Sequence, residues 1–262
     1  MTQTQKAQTF KSLHRAGEPL VLYNIWDAGG AKALADAGAK ASATGSWSVA
    51  AAHGFDDGEG IPLDLVLQIV ERIAKSVDLP LTVDFEGGYA TEPTNITQNV
   101  RQVISAGAVG INFEDQIVGG NGLHPIEQQV ARIKAVRQAA IEAEIPLFIN
   151  ARTDVFLQPD AGDHAKLCDD ALAREVAYAE AGADGFFVPG LTDLALIEEI
   201  CNAAHLPVNV MMMGDLNSIE EVAALGVSRA SFGPGPYFAA MDDLATNFKA
   251  LGSEVVPIGV KN

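Results

Sequence analysis

The stretch TNITQNVRQVISAGAVGINFED, residues 94–115, holds one complete structural unit. Ile96, Val100, Val103 and Ile104 recur at helical spacing over 94–106, and the apolar run 109–113 has the length and composition of a buried strand. Between them stands Ala106-Gly107-Ala108. Glycine at such a point adopts the left-handed conformation that ends a helix and turns the chain into the next strand. The unit closes on two acids, Glu114-Asp115.

The same punctuation recurs in both directions. Ala37-Gly38-Ala39 precedes a strand run at 41–44, Ala181-Gly182-Ala183 one at 185–188, and Leu225-Gly226-Val227 one at 229–232. Further strand runs lie at 20–25, 81–84, 147–150 and 208–211. Pro80, Pro146 and Pro207 stand at the start of the last three, where no ladder donor is needed. Helical patterns at 28–37, 63–76, 94–106, 125–143, 165–181, 191–204, 218–224 and 237–251 fill the intervals. The strand runs read as apolar rather than alternating, as in a parallel sheet covered on both faces. Eight strands alternating with eight helices predict a (β/α)8 TIM barrel, with 1–262 as a single domain; such barrels run to about 250 residues without dividing.

Composition narrows the function. Thirty-four acidic residues against 17 basic give a net charge of −17, which argues against nucleic acid and anionic membranes, since both demand clustered Lys and Arg. Cys168 and Cys201 are far apart in a chain with two cysteines, so neither a disulfide framework nor a Cys-rich zinc site is expected. The polar segment 1–15 lacks the apolar core of a secretory signal, and no run approaches the roughly 20 apolar residues of a membrane span. The expectation is a cytoplasmic protein with a small-molecule substrate.

In a barrel of this kind the chemistry sits at the C-terminal ends of the strands. Those ends carry Asn24 and Asp27, then Thr44-Gly45-Ser46-Trp47, Asp84 and Glu86, Glu114-Asp115, and Asn150, Arg152 and Asp154. The later ends are poorer: Pro189, Asn209 to Met213, and Gly233. Asp84, Glu86 and Glu114 form an oxygen-only set, suited to Mg²⁺ or Mn²⁺. Such an ion can hold a 2-oxo acid and stabilise an enolate. Arg152 can clamp a carboxylate or phosphonate through its planar fork. Gly45, Ser46 and Trp47 offer backbone N–H groups to an anion, and Asn209 is read as a further substrate contact. Structural alternatives stand beside these readings. Single carboxylates at strand ends cap helices, and Arg152 with Asp154 can be a rim ion pair. Met211-Met212-Met213 and Cys168 read as packing, His53, His124 and His164 as surface or capping residues, and Gly233-Pro234-Gly235-Pro236 as a rigid turn into the last helix.

On these residues the chain resembles the phosphoenolpyruvate mutase/isocitrate lyase superfamily over nearly its whole length. The carrying segments are Asn24-Ile25-Trp26-Asp27-Ala28, Val83-Asp84-Phe85-Glu86-Gly87-Gly88-Tyr89, Asn112-Phe113-Glu114-Asp115, Ala151-Arg152-Thr153-Asp154 and Gly226-Val227-Ser228-Arg229. The resemblance implies Mg²⁺ held largely through water by Asp84, Glu86 and Glu114, with Asp57 contributing. It also implies an oxyanion site around Gly45-Ser46-Trp47 and a substrate carboxylate on Arg152. The eighth helix is expected to be swapped between subunits of a homo-oligomer, a dimer of dimers. Family members make or break C–C or P–C bonds beside the carboxylate of a 2-oxo or 2-hydroxy acid.

The departures refine the expectation. Lyases of the family carry Lys-Lys-Cys-Gly-His in the loop after the fourth strand; here residues 116–124 contain neither Cys nor Lys. Mutases and phosphonopyruvate hydrolases place Lys and Asn there, and only Asn121 answers to this. Pro189 stands where lyases carry Glu and mutases His. Decarboxylation of a 2-oxo dicarboxylate asks least of the missing groups, with water, Tyr89 or Tyr237 as the proton source. A P–C bond enzyme and a non-catalytic metabolite-binding barrel are the alternatives.

Overall fold

The structure, a computed structural model, describes residues 1–157 and 161–251. Eight strands alternate with helices as the sequence predicts: β1 (Leu20–Leu22), β2 (Ser42–Ala43), β3 (Leu81–Asp84), β4 (Gly110–Glu114), β5 (Phe148–Arg152), β6 (Gly185–Phe187), β7 (Val208–Met211) and β8 (Arg229–Ser231). All pair in parallel, in the order β1-β8-β7-β6-β5-β4-β3-β2. A bridge between Ile25 and Thr44 spans the remaining gap between β1 and β2. This is a (β/α)8 TIM barrel. Gly38, Gly107, Gly182 and Gly226 have φ between 90° and 110°, so the recurring Ala-Gly-Ala and Leu-Gly-Val points do turn through the left-handed region.

The helices are α1 (Gln3–Ser12), α2 (Ala28–Asp36), α3 (Ser46–Ala52), α4 (Leu63–Ser76), α5 (Pro93–Ser105), α6 (Ile126–Glu142), α7 (Cys168–Glu180), α8 (Leu194–Ala203), α9 (Ile219–Ala224) and α10 (Gly235–Leu251). A 3-10 segment, Ala161–Leu167, leads into α7. Two helices escape the periodicity reading. α1 buries only Ala7 and Phe10, too little for a sequence signal. Phe10 stacks edge-on against Phe148 within an apolar cluster at the N-terminal end of the barrel that includes Leu20, Leu22 and Val109. α3 is only 7 residues long, below the window in which a helical period is legible. Among the described residues no helix is long and apolar enough to cross a membrane.

One expectation needs correction. Several strands do alternate, although both faces are buried. Val83, Ile111, Phe113, Ile149, Ala151, Val208, Val210 and Ala230 belong to the apolar core. The residues between them, Thr82, Asn112, Glu114, Asn150, Asn209, Arg229 and Ser231, are buried and polar. A side-chain period of two sends one set toward the helices and the other into the barrel. The interior is therefore a polar column leading to the mouth.

Candidate active site

Register sets which residues meet at the mouth. Asp84 pairs with Asn112, and Glu114 with Arg152, so the inward side chains of β3, β4 and β5 stand side by side. They open on a cavity of about 140 Å³ lined by Asn24, Gly45, Ser46, Trp47, Asp57, Asp84, Asn112, Arg152, Leu157, Phe187, Pro189, Met211, Ser231, Gly233 and Pro234. The polar lining comes from the end of β1 (Asn24), the end of β2 (Ser46), β3 to β5 (Asp84, Asn112 and Arg152) and the loop carrying Asp57. Leu157, Phe187, Pro189 and Met211 form an apolar wall opposite.

Asp84 is held by three donors. Ser46, the first residue of α3, gives both its backbone N–H and its hydroxyl to Oδ2, each at 3.0 Å. The Asn112 amide reaches Oδ1 at 3.2 Å. Asn112 is turned that way because its own oxygen accepts from Asn150 at 2.9 Å and from Arg229 at 3.0 Å. Arg152 pairs with Glu114 at 2.9 Å and bidentately with Asp154 at 2.6 and 2.8 Å. The rim ion pair weighed from sequence is therefore present, and Arg152 lines the cavity as well. Asp154 is fixed from behind by its N–H to Asp115 at 3.0 Å. Asp115 in turn accepts from Arg174 and Tyr178 at 3.0 and 2.7 Å.

Glu86 lies in a turn held in an unusual backbone shape: Glu86, Gly88 and Tyr89 have φ of 50°, 82° and 57°. Left-handed non-glycine residues cost about 1 kcal/mol or more each and persist where their surroundings over-determine them. Here Glu59, itself at φ 61°, donates its N–H to Glu86 and accepts from Tyr89 N–H at 2.7 Å. Arg132 holds the Gly87 carbonyl at 2.6 Å, and Asn99 holds those of Gly88 and Tyr89 at 3.0 and 3.2 Å. Glu59, Arg132, Asn99 and Asn112 were not singled out from sequence as site residues. Their role is to hold other site residues, and only Asn112 lies in a segment that carries the family resemblance, Asn112-Phe113-Glu114-Asp115, which assigns it no role.

The acids raise one another. Burial, then the charges of Asp57, Asp84 and Glu114, push Glu86 up to about 9. Burial pushes Glu114 up against the pull of Arg152, and burial and the Asp84 charge raise Asp57. Glu86 Oε1 is buried with no hydrogen-bond partner among the described residues. Such a set relaxes when a cation joins it, so the donor chemistry fits a hard divalent ion. Among the described residues, however, no three His, Cys, Asp or Glu side chains cluster tightly enough to ligate one ion together. An ion here would take few protein oxygens directly and reach the rest through water, as Mg²⁺ commonly does.

Other predicted residues lie beside or below the cavity. Tyr89 borders a smaller adjoining space with Ser46, Asp84 and Glu86; burial and the neighbouring acids keep its phenol protonated. Asn209 is buried one layer down, accepting from Ser231 at 3.2 Å, and does not line the mouth. No residue of 116–124 lines it either: Gln116 bridges Leu123, and Ile117, Val118 and His124 border a separate pocket with Arg132. His124 and His164 are buried rather than on the surface, while His53 caps α3 through Val49 O at 2.8 Å. Cys168 is buried, as its packing reading requires.

Comparison with known proteins places the chain in a family. The family described as phosphoenolpyruvate phosphomutase matches residues 10–251. A crystal structure of a candidate phosphonomutase from Burkholderia cenocepacia J2315 superposes with a TM-score of 0.92 at 49% identity, over 95% of this chain and 99% of that one. The 2-methylisocitrate lyase of Escherichia coli (strain K12) is 31% identical over 70% of this chain and 62% of its own length. The oxaloacetate decarboxylase of Pseudomonas fluorescens (strain SBW25) is 26% identical over 89% and 80%. The match over residues 10–251 and these relatives show that the chain belongs to the phosphoenolpyruvate phosphomutase family and is an enzyme of the isocitrate lyase/PEP mutase superfamily of lyases and mutases.

Proposed function

We propose that this enzyme is a Mg²⁺-dependent carbon–carbon lyase acting on a small 2-oxo or 2-hydroxy dicarboxylate, by decarboxylation or retro-aldol cleavage, with a pyruvate-like enolate as the immediate product. The observation that carries this reading is the divided mouth, with acids, amides and one guanidinium from the ends of β1 to β5 and the Asp57 loop facing the apolar wall of Leu157, Phe187, Pro189 and Met211. A cavity of about 140 Å³ is smaller than the ~300 Å³ typical of larger ligands, which suits a short-chain acid. Bound near Asp84, Glu86, Glu114 and Asp57, Mg²⁺ (or Mn²⁺) supplies positive charge to an oxygen that becomes anionic.

The remaining work falls to the chain itself. Ser46 and Asn112 hold Asp84 in one orientation, and Gly45 and Trp47 shape the wall beside it. Arg152, its plane fixed by Glu114 and Asp154, presents its guanidinium to a substrate carboxylate. On bond cleavage the electron pair stays on the carbon next to the carbonyl, and a proton replaces the lost group. Tyr89, protonated throughout the working range, stands on the Asp84 side as a donor. The 116–124 loop offers no acid, which favours decarboxylation over chemistry needing a loop cysteine.

A P–C bond activity is the second reading, favoured by the 49% identity to a candidate phosphonomutase. Pyruvate or glyoxylate release, assayed with oxaloacetate, 2-alkylmalates and isocitrates against an Asp84→Ala blank, supports the lyase. Phosphate release from phosphonopyruvate without pyruvate from oxaloacetate supports the second reading. Turnover of neither set, beside ligand-induced thermal stabilisation, identifies a metabolite-binding barrel.

The same proposal includes a homo-oligomer of single-barrel subunits with α10 exchanged between them. Phe238, Met241, Leu244, Phe248 and Leu251 recur along α10 at helical spacing and are 50%, 37%, 64%, 75% and 43% exposed. A groove of about 540 Å³ lined by Leu20, Val21, Tyr23, Leu34 and Ala37 lies open beside β1. In the proposed exchange the apolar stripe of a second copy's α10 lies in this groove, whose rim also carries Arg15, Glu18 and Lys40. The two cysteines are free, in keeping with a cytoplasmic setting.

A further inference from the structure

The polar column beneath the mouth contains a cation that the mechanism above does not use. Arg229 on β8 is fully buried. Its Nε donates to Ser231 Oγ at 3.1 Å and its Nη2 to Asn112 Oδ1 at 3.0 Å. Nη1 has no hydrogen-bond partner among the described residues. Arg152 contacts two carboxylates, whereas no ion pair involves Arg229 among the described residues. Ser231 and Asn112 both line the mouth cavity, so the guanidinium lies directly under its floor. Burial pulls Arg229 down to about 9, with Asp84 as the opposing charge. Below it, burial and the Arg229 charge hold His14 neutral, at about 3. With His14 neutral, Arg229 carries the positive charge at this depth, beneath the paired Arg152 of the mouth.

We propose that Arg229 is a positioning and specificity-determining residue: an unpaired positive charge under the floor which, acting across Asn112 and Ser231, makes the mouth favour a doubly negative ligand over a singly negative one. The inference rests on reading the mouth as a small-anion site. A chain of net charge −17, with Asp57, Asp84, Glu86 and Glu114 around the cavity, repels such ligands at long range. The charge of Arg152 is largely answered by its two partners. A guanidinium in a weakly screened interior acts on the ligand in proportion to the ligand's charge. It also fixes the Asn112 amide that holds Asp84, so one side chain sets both the field and the geometry of the floor.

Calorimetric titration of oxalate (two charges) and oxamate (one charge and a similar shape) at saturating Mg²⁺ tests this, with thermal melts alongside. In Arg229→Gln, oxalate is expected to weaken about tenfold and oxamate about threefold, because the change in interaction energy scales with ligand charge. Asn209→Asp keeps Arg229 but sets a carboxylate opposite it across the β7–β8 ladder, and is expected to shift the two ligands in the same ratio. That variant decides the matter if Arg229→Gln fails to fold. Equal weakening of both ligands, or unchanged affinities in both variants beside tight wild-type binding, overturns the inference alone. A wild-type protein that binds neither ligand overturns the reading of the mouth and this inference with it.

Discussion

At the scale of single residues, the site depends on side chains that hold other side chains. Asp84 takes its orientation from Ser46 and Asn112. Ser46→Ala removes the hydroxyl donor and leaves the backbone one. Loss of such a supporting contact typically costs 10–100-fold in metal affinity or activity, so Mn²⁺ affinity by electron paramagnetic resonance is expected to fall by about tenfold. Glu59→Ala strips the Tyr89 N–H of its acceptor and frees a turn with two left-handed non-glycine residues. A stability loss of about 1–3 kcal/mol is expected, read by urea denaturation, with Mg²⁺-dependent turnover lost in the protein that remains folded. The acids themselves were legible in sequence because a strand end places them. Glu59 and Arg132 were not, since their partners lie 27 to 45 residues away and only the folded chain brings them together.

Between strands and helices, the legible part was the punctuation: Gly107 and its counterparts mark helix ends because few other residues tolerate that backbone shape. What stayed hidden was the alternation itself: Asn112, Asn150, Asn209 and Arg229 are each legible singly, but they interrupt apolar runs too short to display a period and so to show one inward polar face. α1 was missed for a related reason, and it makes a prediction about pH. His14, just beyond α1, stacks on Phe148 at 4.0 Å between ring centres, and burial lowers it from 6.5 to about 3. Above pH 6.5 neither the folded nor the unfolded chain protonates this group. As the pH falls from 6.5 toward 3, only the unfolded chain takes the proton, so stability declines. By pH 5 the loss amounts to about 1–2 kcal/mol. Replacing His14 with Phe is expected to shrink the drop in Tm between pH 7 and 5 by about 2–8 °C. On the far side of the barrel, Asp115→Asn leaves Arg174 without its buried carboxylate. Breaking such a pair costs about 3–5 kcal/mol, expected as a fall in Tm of about 6–20 °C in scanning calorimetry.

For the whole molecule, a net charge of −17 surrounds a barrel whose polar interior rises to a mouth of exposed Asp57, half-buried Asp84 and one paired guanidinium, with Glu86 and Glu114 buried beside it. The exchange of α10 proposed above would cover both the exposed stripe on that helix and the open groove beside β1. Phe248→Asp together with Leu244→Asp is expected to convert the oligomer to monomers in light scattering behind size exclusion; an unchanged mass refutes the exchange. Family membership was legible in the sequence because Asp84, Glu86, Glu114 and Arg152 stand at consecutive strand ends. The reaction was less so, because it depends on a loop whose expected catalytic residues are missing. In the function proposed above, these acids hold a divalent cation that the chemistry requires. The most direct measurement is product release by wild-type and Asp84→Ala protein as Mg²⁺ is titrated after chelation, with the substrate that gives the highest turnover. Wild-type activity is expected to be abolished by chelator and restored by Mg²⁺, with at least a 100-fold loss in Asp84→Ala (about 2.7 kcal/mol). Asp84→Ala turnover and Mg²⁺ dependence equal to wild type contradict this expectation.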